Sequence, residues 1–258
     1  MVQHRARKRF GQHFLTDPQV IQHILQAIDP RPEDVIVEIG PGQGALTGGL
    51  LAAGPELHLL EIDRDLAATL EHRIAPYPRA SVHIGDALEM NLAELTGRRN
   101  FRLVGNLPYN ISTPVLFHAL QWVELITDMH FMLQKEVVDR MGSSPGSKAW
   151  GRLAIMCQIH CRVVPLFGVP PNAFSPVPRV DSSLVRLVPH PQPPVRLENL
   201  PHFDQVVRQA FGQRRKTLRN SLRHLLDATQ IEAAGIDPGL RPESLGIAEF
   251  AALSAQID

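Results

Sequence analysis

VIVEIGPGQGALT, residues 35–47, decides how this chain is read. Val35 to Ile39 is a β-branched run suited to a buried strand, and Gly40, Gly42 and Gly44 then turn the backbone into ALTGGLLAAG, a small-residue helix closing at Gly54. A strand that feeds a glycine turn and a helix is the opening half of a parallel βαβ unit. Downstream the alternation continues. LHLLEID (57–63), SVHIGDA (81–87), FRLVGN (101–106) and DMHFMLQ (128–134) read as strands, with DLAATLEHRI and KEVVDRM as intervening and following helices. Upstream, Val20, Ile21, Ile24, Leu25 and Ile28 recur at helical spacing behind the start signal Asp17-Pro18. The expected fold is α/β, a mostly parallel, doubly wound sheet of Rossmann-like type whose ligands meet the carboxyl ends of its strands.

With 258 residues, 44% hydrophobic and 20% charged, the chain is long for one compact domain, which points to a large domain plus a small one. GSSPGS (142–147) is a loop, residues 151–161 read as helix, and CRVVPLFGVP and VDSSLVRLVP as extended segments. PHPQPPV (189–195) is a linker, because prolines at this density suit neither helix nor strand interiors. The expected division is therefore residues 1–188 with a basic amino-terminal arm, the linker, and a small all-α domain over 196–258, in which Gly212 divides two helices. Uncharged apolar runs fall short of a membrane span, and the basic amino terminus lacks a signal-peptide core, so a cytoplasmic location is expected. A monomer is the expected state. Cys157 and Cys161 flank His160 without a second ligand pair nearby. They read as reduced core thiols, and no metal is expected.

Charge is formally balanced, with 26 basic and 26 acidic residues, but it is segregated. Arg5, Arg7, Lys8 and Arg9 form one acid-free cluster. Arg208, Arg214, Arg215, Lys216, Arg219 and Arg223 form another. Such clusters are the electrostatic footprint of phosphate backbone, and all of these residues except Arg208 are the candidate nucleic-acid contacts.

The pocket implied by the fold carries a distinct chemistry. Gly40 and Gly42 allow close backbone approach, Glu61 ends the second strand where a carboxylate accepts ribose hydroxyls, and Asp86 ends the third within reach of an adenine amino group. The GxGxG spacing departs from the dinucleotide GxGxxG, and the three strand ends together suit S-adenosylmethionine. The fourth ends in Asn106-Leu107-Pro108-Tyr109. The Asn106 side-chain oxygen and the Leu107 carbonyl are placed to accept the two hydrogens of an adenine N6, favouring a pyramidal nitrogen. Pro108 restricts Leu107 to extended geometry. Tyr109 offers a face to the base, and Phe174 is the candidate for the opposite face.

RKRFGQHFL, VEIGPGQGALT, LEIDRDLA, GDAL, GNLPYNIST, LQKEVVDR, FSPVPRVDSS and RRKTLRNSL, in this order from residue 5 to past residue 222, resemble the bacterial small-subunit ribosomal RNA adenine N6,N6-dimethyltransferases, the kasugamycin-sensitivity family. The resemblance implies dimethylation of two adjacent adenosines near the 3′ end of 16S rRNA, within the 30S subunit or its precursor, at a late stage of assembly. It further implies donor contacts at His13, Leu15, Gly40, Glu61, Asp86 and Asn106. At residue 13 the family commonly has Asn, which leaves the part played by His13 open. Two alternatives compete: a large-subunit adenine dimethyltransferase of the macrolide-resistance type, and an assembly factor whose main task is binding. A DNA adenine methyltransferase lacks support, for want of a target-recognition domain.

Overall fold

The computed structural model describes residues 12–257, so the basic arm with Arg5, Arg7, Lys8 and Arg9 lies outside the described residues. The chain divides into two compact units. The first runs to Val138 and takes in Val164–Pro189, and the second comprises Asp139–Val163 with the chain from His190 onward.

In the first unit, β1 (Phe14–Leu15) leads into α1 (Pro18–Ile28). The Asp17 carboxylate caps this helix by accepting from the Gln19 and Val20 amides, and Asp29 ends it in the left-handed region at φ 48°. There follow β2 (Val35–Ile39), α2 (Thr47–Ala53), β3 (Glu56–Glu61), α3 (Arg64–Ile74), β4 (Ala80–Ile84), α4 (Leu92–Leu95), β5 (Phe101–Asn106), α5 (Ser112–Leu120) and β6 (Ile126–Gln134). α6 (Lys135–Met141) crosses into the second unit, where α7 (Arg152–His160) lies, and β7 (Cys161–Val169) crosses back. β8 (Phe174–Ser175) and β9 (Ser182–Pro189) complete the strands.

The seven-stranded sheet has the order β4-β3-β2-β5-β6-β9-β7. Pairing is parallel from β4 through β6, and β9 joins β6 antiparallel. The chain order reverses between β2 and β5, the switch point at which an open α/β sheet forms its crevice. Leu57 and Leu59 of β3 pack in one core cluster with Ile24 and Ile28 of α1, Leu50 of α2 and Leu70 of α3. The two-residue strands β1 and β8, which were not legible as strands, pair antiparallel, with Leu15 opposite Phe174.

At the opposite, amino-terminal side, a buried ion-pair network ties the centre of the sheet together. Arg102 donates to Asp128 through Nε (2.7 Å) and Nη2 (3.1 Å), to Asp34 (2.9 Å) and to the Ile28 carbonyl (2.6 Å). Arg186 reaches the same Asp128 carboxylate at 2.8 Å. Burial alone would raise the Asp128 carboxyl, but hydrogen bonds from Arg102 and the surrounding positive charge hold it below its ordinary range.

The second unit is larger than the expected 196–258, because Asp139–Val163 belongs with it. The physical reason is local: Arg152 holds Asp204 at 2.9 Å, and the Trp150 indole donates to the Leu245 carbonyl at 2.8 Å. Its later elements are α8 (Leu200–Gly212), α9 (Leu218–Ser221), α10 (Ala228–Ala233) and α11 (Ile247–Ser254), and the break between α8 and α9 follows Gly212. Cys157 and Cys161 are buried free thiols. Burial raises both, that of Cys161 to about 12, so they are inert core groups. Among the described residues no group of three or more His, Cys, Asp and Glu is arranged to hold a metal, and no helix is long and apolar enough to cross a membrane.

Removing Arg102 strands Asp128 in the interior with Arg186 as its remaining arginine partner. Arg102→Ala is expected to cost about 3 kcal/mol in urea unfolding; a loss below about 1 kcal/mol would show that the network does not hold the sheet.

Candidate active site

A cleft opens over the carboxyl ends of β4, β3, β2 and β5, and it is lined by residues from each end: Asp86, Glu61, Gly40 and Gly42, and Asn106. The β2–α2 loop forms its floor. Arg73 of α3 clasps this loop, donating to the Gln43 and Gly44 carbonyls at 2.9 and 3.0 Å. Gly44 has φ +75°, and a Cβ there would fall 2.1 Å from the Arg73 guanidinium, so the clasp requires glycine.

Glu61, the last residue of β3, is 4% exposed. Its Oε2 accepts from the Gly42 amide and its Oε1 from the Asp63 amide, both at 3.0 Å. Burial raises its carboxyl while these backbone donors oppose the rise. Each oxygen retains acceptor capacity beyond its one backbone partner, which suits a pair of vicinal hydroxyls. Asp86 is half-buried, and its Oδ1 accepts from the Leu88 amide at 2.9 Å.

Asn106 ends β5. Its Nδ2 donates to the His13 carbonyl at 3.0 Å. A carbonyl can only accept, so the amide nitrogen faces His13 and Oδ1 is the end left to act as an acceptor. Leu107 is buried, its amide bonded to the Met132 carbonyl at 3.2 Å. The Pro108 carbonyl accepts from Ile111 and the Tyr109 carbonyl from the Ser112 hydroxyl, so the tetrad forms the turn that starts α5. The Tyr109 hydroxyl lies 2.7 Å from Ser182 Oγ of β9.

The structure brings together His13, Leu15, Gly40, Gly42, Glu61, Asp86, Asn106, Leu107, Pro108 and Tyr109 around one cleft. Phe174 is the exception. It is 2% exposed and packs in the hydrophobic core with Leu15, because pairing with β1 turns its side chain inward and Ser175 outward. As a second face for a base it is therefore corrected to a core residue beneath the site. Among the lining residues to which the sequence assigned no role are Ile62 and Glu38. Ile62 stays 44% exposed at the rim, its signal being an isoleucine set between Glu61 and Asp63. Glu38 lies beneath the loop at 2% exposure and accepts from the Thr47 hydroxyl at 2.7 Å; its signal was a lone acid in an apolar strand.

Of the carboxyl-terminal cations, Arg215, Lys216, Arg219 and Arg223 are exposed. Arg214 is half-buried, with Nε 4.0 Å from Glu243, and Arg208 pairs with Asp204.

This sheet order, with a glycine loop and acids at successive strand ends, defines a Rossmann-like methyltransferase. The profile of the ribosomal RNA adenine dimethylase family matches residues 3–258, and the chain belongs to that family. It is 54% identical to a Pseudomonas putida protein called ribosomal RNA small subunit methyltransferase A, over 99% of this chain and 96% of that one. A Pseudomonas aeruginosa protein of the same name is 54% identical over 100% and 96%. Among solved structures, a dimethyladenosine transferase from Plasmodium falciparum superposes with a TM-score of 0.78 at 25% identity, over 93% of this chain and 96% of that chain. The 23S rRNA methyltransferase ErmE gives 0.70 at 25% identity, over 95% and 99%.

Burial pushes the Glu38 carboxyl from its ordinary 4.5 up to about 7, with Glu61 adding to the rise and the Thr47 hydrogen bond and Arg73 opposing it. Because the folded value is the higher one, this stabilisation is complete below the unfolded value and is lost as pH rises through the folded one. Glu38→Gln mimics the protonated group. By thermal or urea unfolding it is expected to match the parent toward about pH 4 and to exceed it at about pH 8 by on the order of 2–3 kcal/mol. Equal stability at both pH values would mean that the Glu38 carboxyl is not raised in the folded chain.

Proposed function

We propose that this chain dimethylates N6 of two adjacent adenosines near the 3′ end of 16S rRNA, in the 30S subunit or its precursor, with S-adenosylmethionine as methyl donor. The observation that carries the reading is the Asn106 amide, held by the His13 carbonyl with its oxygen as the acceptor end. The names of the Pseudomonas relatives favour small-subunit RNA over the large-subunit substrate in the name of the more distant ErmE.

The residues lining the cleft suit this donor. Glu61 is the ribose acceptor, Ile62 an apolar surface for the donor's adenine, Asp86 an acceptor for its amino group, and the floor at Gly40 and Gly42 admits close approach. When bound, S-adenosylmethionine supplies a methyl group already activated by its positive sulfur.

The remaining work is positioning. The target N6 is a weak nucleophile while its lone pair is conjugated with the ring. Acceptance of its hydrogens by Asn106 Oδ1 and the Leu107 carbonyl favours a pyramidal nitrogen and directs the lone pair across the cleft. Tyr109 supplies the stacking face, and no general base is required, since the amine becomes acidic as the new bond forms. Asn106 is neutral, which eases the second methylation, when one hydrogen has been replaced and one acceptor loses its partner. Arg215, Lys216, Arg219 and Arg223, with the amino-terminal Arg5, Arg7, Lys8 and Arg9, are the proposed phosphate contacts, and Arg214 joins them from its partly buried position.

The test is transfer of labelled methyl groups to small subunits that lack the modification. Asn106→Ala is expected to lower transfer by at least roughly 100-fold at saturating S-adenosylmethionine, well beyond any loss of donor affinity. Near-normal turnover in that variant, or labelling of large-subunit RNA instead, would refute the assignment.

A further inference from the structure

We propose that His13 is a positioning residue for the target base, its imidazole acting as the fixed backing on which Tyr109 presents its stacking face. This deepens the function proposed above and rests on Asn106 and Tyr109 receiving an adenine. The donor contact implied for residue 13 is a different role, with a different signature.

Three contacts converge on His13. Its carbonyl accepts from Asn106 Nδ2 at 3.0 Å. Its ring stacks on Tyr109, with centroids 5.4 Å apart and planes at 26°, inside the range of an attractive aromatic pair. Its Nδ1 lies 2.7 Å from the Pro176 carbonyl. That carbonyl only accepts, so Nδ1 carries the hydrogen and the ring is held in one orientation. The segment itself is anchored next door, where Leu15 pairs with Phe174 and the Thr16 amide donates to the Ala173 carbonyl at 2.8 Å.

Tyr109 is thus held twice, by Ser182 at its hydroxyl and by His13 at one face. The target base is left the other face, giving the stacking order His13, Tyr109, base. Both recognition groups, the Asn106 amide and the Tyr109 ring, are set by the same residue. One works through the backbone and survives any substitution; the other works through the side chain and does not.

The experiment is single-turnover methyl transfer to small subunits lacking the modification, with S-adenosylmethionine affinity measured in parallel, for His13→Ala, His13→Asn, His13→Phe and Ser182→Ala. The first two are expected to slow transfer roughly 2- to 10-fold, the equivalent of one aromatic pair, with donor affinity within about twofold. His13→Phe, which keeps the stack, is expected to recover most of the rate. Ser182→Ala, which frees the other end of Tyr109, is expected to slow transfer in the same way, and it carries the test if His13→Ala does not fold. Faster transfer in His13→Ala would mean that the imidazole occupies the base's own place, and weakened donor affinity at an unchanged rate would make His13 a donor contact; either result overturns the proposal. Asn106→Ala run alongside separates the two levels. Transfer persisting there refutes the proposed function. Transfer lost there while His13→Ala and Ser182→Ala are unimpaired refutes only the role of His13.

Discussion

Parallel pairing of β2 with β5 is the constraint on which the site depends. The register sets Ile36 opposite Arg102 and Glu38 opposite Val104, so the two strands end level, with Gly40 leaving one and Asn106 closing the other. The approach is close: a Cβ on Gly105 would lie 2.6 Å from the Ile39 carbonyl oxygen. Any side chain there would part the strands just where the glycine loop and the tetrad must share one cleft. Below this junction the Arg102–Asp128 network locks β5 to β6. The same strand therefore carries a structural ion pair at its start and the proposed acceptor at its end.

Charge in the cleft follows a similar economy. Glu38, Glu61 and Asp86 give it an acidic cast suited to a cationic donor, and burial raises the carboxyls of the first two above their ordinary range. Where the base is to be received, the polar groups are neutral. In the proposed function an amide oxygen and a backbone carbonyl accept hydrogens there without the desolvation cost of another charge, and the Asn106 amide is already held by the His13 carbonyl, which limits the reorganisation needed when a base arrives.

Much of this was legible in the residues. The βα alternation from Val35 to Gln134 follows from β-branched runs and glycine turns, and the strand-end positions of Glu61, Asp86 and Asn106 follow from it directly. What was not legible depended on tertiary pairing. Phe174 sits in a proline-rich segment with no periodicity to assign it a side, and its burial comes from two strands too short to announce themselves. Arg152 and Trp150 look like ordinary residues of a helix and its lead-in. Only their partners Asp204 and Leu245, far along the chain, draw Asp139–Val163 into the helical unit. Glu38 reads as an interruption of an apolar strand until the loop folds over it. The His13–Tyr109 stack joins residues 96 positions apart, and a sequence pattern carries no trace of it.

The central claim is that a fixed Asn106 amide presents its oxygen to an adenine N6. Its most direct test is a crystal structure of the chain with S-adenosylhomocysteine and an adenosine-containing RNA fragment of the small-subunit 3′ region. The account predicts the target N6 within hydrogen-bonding distance of both Asn106 Oδ1 and the Leu107 carbonyl, with Nδ2 still on the His13 carbonyl. An N6 placed away from both acceptors, or an Asn106 amide that turns its nitrogen toward the base and releases His13, would contradict it.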